Sequence, residues 1–107
     1  DLRSSPALDA IQILLEKGAN IFAFDPILKS KPNSTKLLQN CTVCTTIEDA
    51  LKDSDAAMIF TKWPEFKSLD SKFLKQFMKN PIIIDGRGFL AKEKFDSGTY
   101  FKIGYSE

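Results

Sequence analysis

Ile82-Ile83-Ile84-Asp85-Gly86-Arg87-Gly88 passes within seven residues from an uninterrupted apolar run to a loop holding an acid, two glycines and an arginine. Three consecutive isoleucines do not alternate in polarity, so they predict a strand covered on both faces, as in the parallel sheet of an α/β domain. Open α/β sheets bind ligands just beyond the carboxyl ends of their strands. Arg87 lies two residues past that end. Its planar, five-donor guanidinium suits a phosphate or a carboxylate. The flanking glycines permit positive φ and a close approach of ligand or chain to the backbone. A second reading stays open at this point: Asp-Gly after a strand is also an ordinary turn, and an arginine in a turn is usually solvated.

Outward from this stretch, the rest of the chain reads as alternating helices and strands. Ser5 is a suitable N-cap and Pro6 a suitable first helical residue. Leu8, Ile11, Leu14 and Leu15 follow at helical spacing and Gly18 ends the pattern, which predicts a helix over 6–17. Ile21-Phe22-Ala23-Phe24 is a second unalternating run and predicts a buried parallel strand closed by Asp25-Pro26. Asp25 reads either as a ligand contact or as a turn residue. Lys29 and Lys31 fall in a polar stretch, Lys29 to Ser34, which reads as a solvated loop or, alternatively, as a phosphate contact.

Farther along, Cys41 to Cys44 predicts a short strand, and Thr45 with Glu48 forms a capping-box pattern for a helix over 46–52. Asp55 to Thr61 predicts another buried strand, running into Lys62-Trp63-Pro64-Glu65-Phe66. Trp63 either covers the end of the sheet or stacks on a ligand. Asp70 caps a helix over 71–79 with Phe73, Leu74, Phe77 and Met78 on its core face. A brief helix over 91–95 and a strand over 100–103 complete the pattern. Helix, short loop and buried strand in repetition is the rhythm of a doubly wound sheet.

Composition narrows the function. A chain of 107 residues suits one domain, and 43% hydrophobic content supports a core. Fifteen basic residues nearly balance fourteen acidic ones, so no global field points to nucleic acid or a membrane surface, and any anion recognition has to be local. The apolar runs fall far short of the roughly 20 residues a membrane span needs. No signal-peptide pattern opens the chain, and two cysteines without one predict a cytoplasmic setting. Histidine is absent, which removes the commonest general base and metal ligand. Cys41-x-x-Cys44 lacks the second ligand pair a zinc site wants and sits on a predicted strand rather than at a helix N-terminus. Both thiols therefore read as structural.

Four collinear stretches resemble the C-terminal, nucleotide-binding domain of the UDP-glucose/GDP-mannose dehydrogenase family. They are Asp1-Leu2-Arg3-Ser4-Ser5-Pro6, the segment from Gly18 through Phe24-Asp25-Pro26, Thr61-Lys62-Trp63-Pro64-Glu65-Phe66, and Asp85-Gly86-Arg87. The resemblance implies a Rossmann-like, three-layer αβα sandwich with a mainly parallel sheet, lacking the family domain's first strand and its lysine-bearing loop. Residues 1–107 would then be a C-terminal nucleotide-sugar-binding domain. It further implies a role in an NAD-dependent nucleotide-sugar 6-dehydrogenase that oxidises a C6 hydroxyl to a carboxylate. By analogy Arg87 contacts the nucleotide sugar and Arg3 reaches the NAD, which is bound mainly by another domain. The implied partners are a UDP-sugar or related nucleotide sugar and the enzyme's N-terminal and central domains, within a homodimer. No segment matches the family's glycine-flanked nucleophilic cysteine, so the resemblance implies no catalytic residue and no metal site here, and the chain alone is expected to be inactive. The contrasting expectation is a stand-alone α/β interaction module without a ligand.

Overall fold

The computed structural model describes residues 6–24 and 37–103. The chain divides into two compact units, Asp1–Ala50 and Leu51–Glu107. Arg3, Asp25, Lys29 and Lys31 lie outside the described residues.

In the first unit, helix α1 spans Pro6–Glu16. It ends as Gly18 requires: the Gly18 amide donates to the Leu15 carbonyl (3.0 Å) and the Ala19 amide to the Leu14 carbonyl (3.0 Å). This pair of bonds satisfies carbonyls that the helix end would leave orphaned. Strand β1, Phe22–Phe24, pairs in parallel with β2, Thr42–Cys44, with Phe22 opposite Thr42 and Phe24 opposite Cys44. The apolar run over 21–24 therefore does form a parallel strand, although Phe22 is 49% exposed, so the expected two-sided cover is incomplete. Helix α2, Ile47–Leu51, starts one residue later than its sequence pattern suggests. Thr46, not Thr45, supplies the cap, its Oγ1 accepting from the Asp49 amide at 3.0 Å. Two adjacent threonines offer the same chemistry, and backbone geometry selects the second.

The second unit is built on a three-stranded parallel sheet of β3 (Ala57–Ile59), β4 (Ile83–Asp85) and β5 (Tyr100–Lys102), with β4 in the middle. Ala57, Ile83 and Tyr100 stand abreast, as do Ile59, Asp85 and Lys102 two residues on. These two rows share one face of the pleat, and Met58, Ile84 and Phe101 occupy the other. On the first face Ile83 is fully buried and Ile59 nearly so, whereas Met58 and Phe101 remain 37% and 50% exposed. The isoleucine run thus marks the central strand, but its outer row is only partly covered.

Helix α3, Ser71–Phe77, is capped by Asp70, whose Oδ1 accepts from the Phe73 amide at 2.8 Å. Leu74 is fully buried and Met78 nearly so, as the helical spacing predicts. A 3₁₀ turn over Pro64–Ser68 carries buried Phe66, and a shorter one over Lys92–Lys94 precedes β5. Among the described residues no helix is long and apolar enough to cross a membrane.

Candidate functional site at the carboxyl end of the central strand

Strand β4 ends on Asp85, whose side chain has no solvent exposure. An isolated carboxylate in that position would be strongly disfavoured. Instead the chain turns back over it: Oδ1 accepts from the Arg87 amide (3.0 Å), and Oδ2 accepts from the amides of Phe89 (2.8 Å) and Leu90 (2.9 Å). The Tyr100 hydroxyl donates to the same Oδ2 at 2.7 Å. Burial alone would push the Asp85 carboxyl up, but the bonds from Leu90, Tyr100, Arg87 and Phe89 prevail and hold it below the ordinary carboxylate value. Tyr100 is shifted the other way, by burial first and then by the bond to Asp85 and its charge, so its hydroxyl stays protonated well past the usual tyrosine range.

The loop that results is small and tightly tied. The Gly86 amide donates to the Ile59 carbonyl at 2.8 Å, and a Cβ at Gly86 would come within 2.9 Å of that oxygen. Gly88 adopts φ +59°, in the left-handed region that favours glycine. Lys67, from the 3₁₀ turn over 64–68, donates to the Phe89 carbonyl at 2.7 Å and lies 4.1 Å from the centre of the Phe89 ring. Lys94 in turn donates to the Lys67 carbonyl, joining the two 3₁₀ turns to the loop.

Arg87 projects from this platform and is exposed. Its Nη1 lies 3.5 Å from the Phe60 carbonyl, just past the end of β3, which sets the guanidinium along the carboxyl edge of the sheet. The loop therefore does two things with charge. It commits three of its amide donors to a buried acid, and it displays an exposed guanidinium. Asp85 is the residue that sequence reading undervalued: it passes for a turn acid, and the available signal was a lone carboxylate directly following three isoleucines.

A dinucleotide cradle is a different matter. Gly86-x-Gly88-x-x-Ala91 follows a strand and has the spacing of a pyrophosphate-binding glycine fingerprint. In such a cradle the loop amides and a helix N-terminus face the phosphates. Here the amides of Arg87, Phe89 and Leu90 are taken by Asp85, and only a three-residue 3₁₀ turn follows. The loop therefore does not fit the pyrophosphate of NAD.

Other candidates resolve as follows. Trp63 is half-buried at the start of its 3₁₀ turn, with Nε1 buried and lacking a hydrogen-bond partner among the described residues. Cys41 precedes β2 and Cys44 is its last residue, and neither is in a disulfide. Burial pushes both up, and the nearby Asp49 charge pushes Cys44 further, which opposes thiolate formation. The described residues hold no group of three or more His, Cys, Asp or Glu arranged to bind a metal ion.

Residues 1–92 match the family described as "UDP-glucose/GDP-mannose dehydrogenase family, UDP binding domain". The chain is 38% identical over 101 residues to the UDP-glucose 6-dehydrogenase TuaD of Bacillus subtilis, covering 94% of this chain and 22% of that protein. It is also 38% identical over 109 residues to the UDP-glucose 6-dehydrogenase of Rickettsia bellii, covering 97% of this chain and 24% of the relative. It thus spans less than a quarter of the length of these curated relatives. Among solved structures it is similar to the UDP-N-acetyl-mannosamine dehydrogenase Cap5O of Staphylococcus aureus, with TM-score 0.62 and 24% identity over 95% of this chain and 22% of that one. That likeness establishes the α/β fold.

Proposed function

Because the chain belongs to the UDP-glucose/GDP-mannose dehydrogenase family, we propose that residues 1–107 serve as the C-terminal nucleotide-sugar-binding domain of an NAD-dependent nucleotide-sugar 6-dehydrogenase. Arg87 is assigned to the diphosphate or sugar of a UDP-sugar or related nucleotide sugar, and Arg3 to the cofactor side of the cleft. NAD supplies the hydride acceptor when bound by another domain of the enzyme, in keeping with the poor fit of the Gly86–Ala91 loop to a pyrophosphate. The N-terminal and central domains, a homodimeric assembly and a cytoplasmic setting complete the reading.

Within that assignment the chemistry of this chain is binding and orientation. A guanidinium is planar and carries five donors in a fixed fork, so Arg87 can meet a phosphate through two parallel hydrogen bonds. Its position is set from below by a buried carboxylate that clamps its own amide at 3.0 Å. The observation that carries the reading is this exposed cation, on a loop whose amides are occupied, in a chain matching a UDP-binding family over residues 1–92.

Steady-state kinetics of the whole enzyme test it. Arg87→Ala is expected to raise the nucleotide-sugar KM about tenfold or more, since a charge-assisted hydrogen bond contributes roughly 1.5 to 3 kcal/mol. The NAD KM should stay unchanged. An unaltered nucleotide-sugar KM would remove Arg87 from the site. The 107-residue chain by itself should produce no NADH from any nucleotide sugar.

A further inference from the structure

Arg87 is not the only cation at this edge. Lys102 closes β5 directly abreast of Asp85, at the carboxyl end where the Arg87 loop begins. Its side chain runs back along that loop: a Cβ on Gly88 would come within 2.7 Å of Lys102 Cε, 3.5 Å of Cδ and 3.4 Å of Nζ. The missing side chain at Gly88 is thus the space in which the lysine lies. The left-handed φ of +59° is what favours glycine at position 88, and the lysine lies in the space that its missing side chain leaves. Lys102 is exposed, and its ammonium makes no ion pair or hydrogen bond among the described residues.

The two cations approach the mouth of β4 from opposite flanks. Arg87 leans toward Phe60, beyond β3, and Lys102 comes from β5. Strand β4 lies between β3 and β5, so the two flanks are two strand spacings, about 10 Å, apart, a gap that a diphosphate met by two long side chains can bridge. The amides of Arg87, Phe89 and Leu90 are spent on Asp85 and that of Gly86 on the Ile59 carbonyl, which leaves side-chain charge as the main means of meeting an anion here. One guanidinium fork matches one phosphoryl group; a second phosphoryl calls for a second donor. Lysine supplies it as a compact ammonium with three rotatable donors.

We infer that Lys102, lying beside the bare Gly88, is a second phosphate-contacting residue of the site, engaging one phosphoryl group of a nucleoside diphosphate while Arg87 holds the other. The inference rests on the proposed nucleotide-binding role and adds to it a specificity for diphosphate over monophosphate.

Calorimetric titration of the whole enzyme with UDP and with UMP separates the two claims. Lys102→Gln should weaken UDP binding roughly fivefold to tenfold, the loss of one partly exposed charge-assisted contact. UMP binding should change little, and Lys102→Arg should restore most of the UDP affinity. Arg87→Gln should weaken both ligands. Unchanged UDP affinity in Lys102→Gln, alongside loss in Arg87→Gln, would overturn the role of Lys102 and leave the nucleotide-binding reading standing. Equal weakening of UDP and UMP in Lys102→Gln would overturn the diphosphate assignment. A wild-type enzyme that bound neither ligand would overturn both.

Discussion

The Tyr100 hydroxyl on β5 donates to Oδ2 of Asp85 on β4 across 2.7 Å, and the same oxygen receives the amides of Phe89 and Leu90. Two neighbouring strands and the loop between them are therefore fastened to a single buried atom. Because Arg87 is bonded through its amide to the other oxygen of that carboxylate, the position of the exposed cation depends on a fully buried acid. The loop that carries Arg87 is thereby tied to the central strand.

Removing acceptor capacity at Asp85 should loosen the whole arrangement. In Asp85→Asn one of the two clamping positions becomes an amide donor facing an N–H, and the charge is lost. The expected destabilisation is roughly 2 to 3 kcal/mol, the cost of leaving buried donors unpaired. Tyr100→Phe removes only one donor and should cost less, about 1 to 2 kcal/mol. Urea unfolding of both variants checks the order, and a Tyr100→Phe protein less stable than Asp85→Asn would contradict it.

Acid stability follows from the same carboxylate. Asp85 is held below the unfolded value of about 3.9, so near that pH the unfolded chain binds more protons than the folded one. Its contribution is present above about pH 4 and is lost as pH falls through the folded-state value. The Asp85→Asn chain should show a shallower acid limb in a stability profile, with no such difference near neutrality. Tyr100 acts oppositely: its raised value gives a contribution present below about pH 10 and lost as pH rises further. Tyr100→Phe should flatten that alkaline limb.

Gly86→Ala should be poorly tolerated, since the new Cβ would meet the Ile59 carbonyl at 2.9 Å, and that oxygen already accepts the Gly86 amide. Backbone cannot swing aside as a flexible side chain does. A loss of roughly 1 to 3 kcal/mol is expected, as for overpacking elsewhere. A thermal melt indistinguishable from wild type would show that the turn has room the geometry denies.

Much of this protein was legible in its residues. Unbroken apolar runs at 21–24 and 82–84 marked parallel strands, because a strand inside an α/β sheet has little polar face to show. Asp70 announced the start of α3, since a carboxylate ahead of a helical pattern has backbone amides to accept. The arginine two residues past Ile84-Asp85 pointed to the sheet's carboxyl edge, and Arg87 is exposed there. Such features are local: each depends on the periodicity or conformational preference of a few neighbours.

What the order of residues could not convey was how distant groups share one atom. Asp85 and Tyr100 are fifteen positions apart and meet only because β4 and β5 pair in parallel, and the register that brings them together also lays Lys102 along Gly88. Likewise, a glycine spacing that suggests a phosphate cradle is emptied of that meaning once its amides turn inward to a buried acid. Elements follow from near neighbours along the chain, whereas the partners of a buried charge follow from strand pairing, and only the folded chain states which donors remain for a ligand.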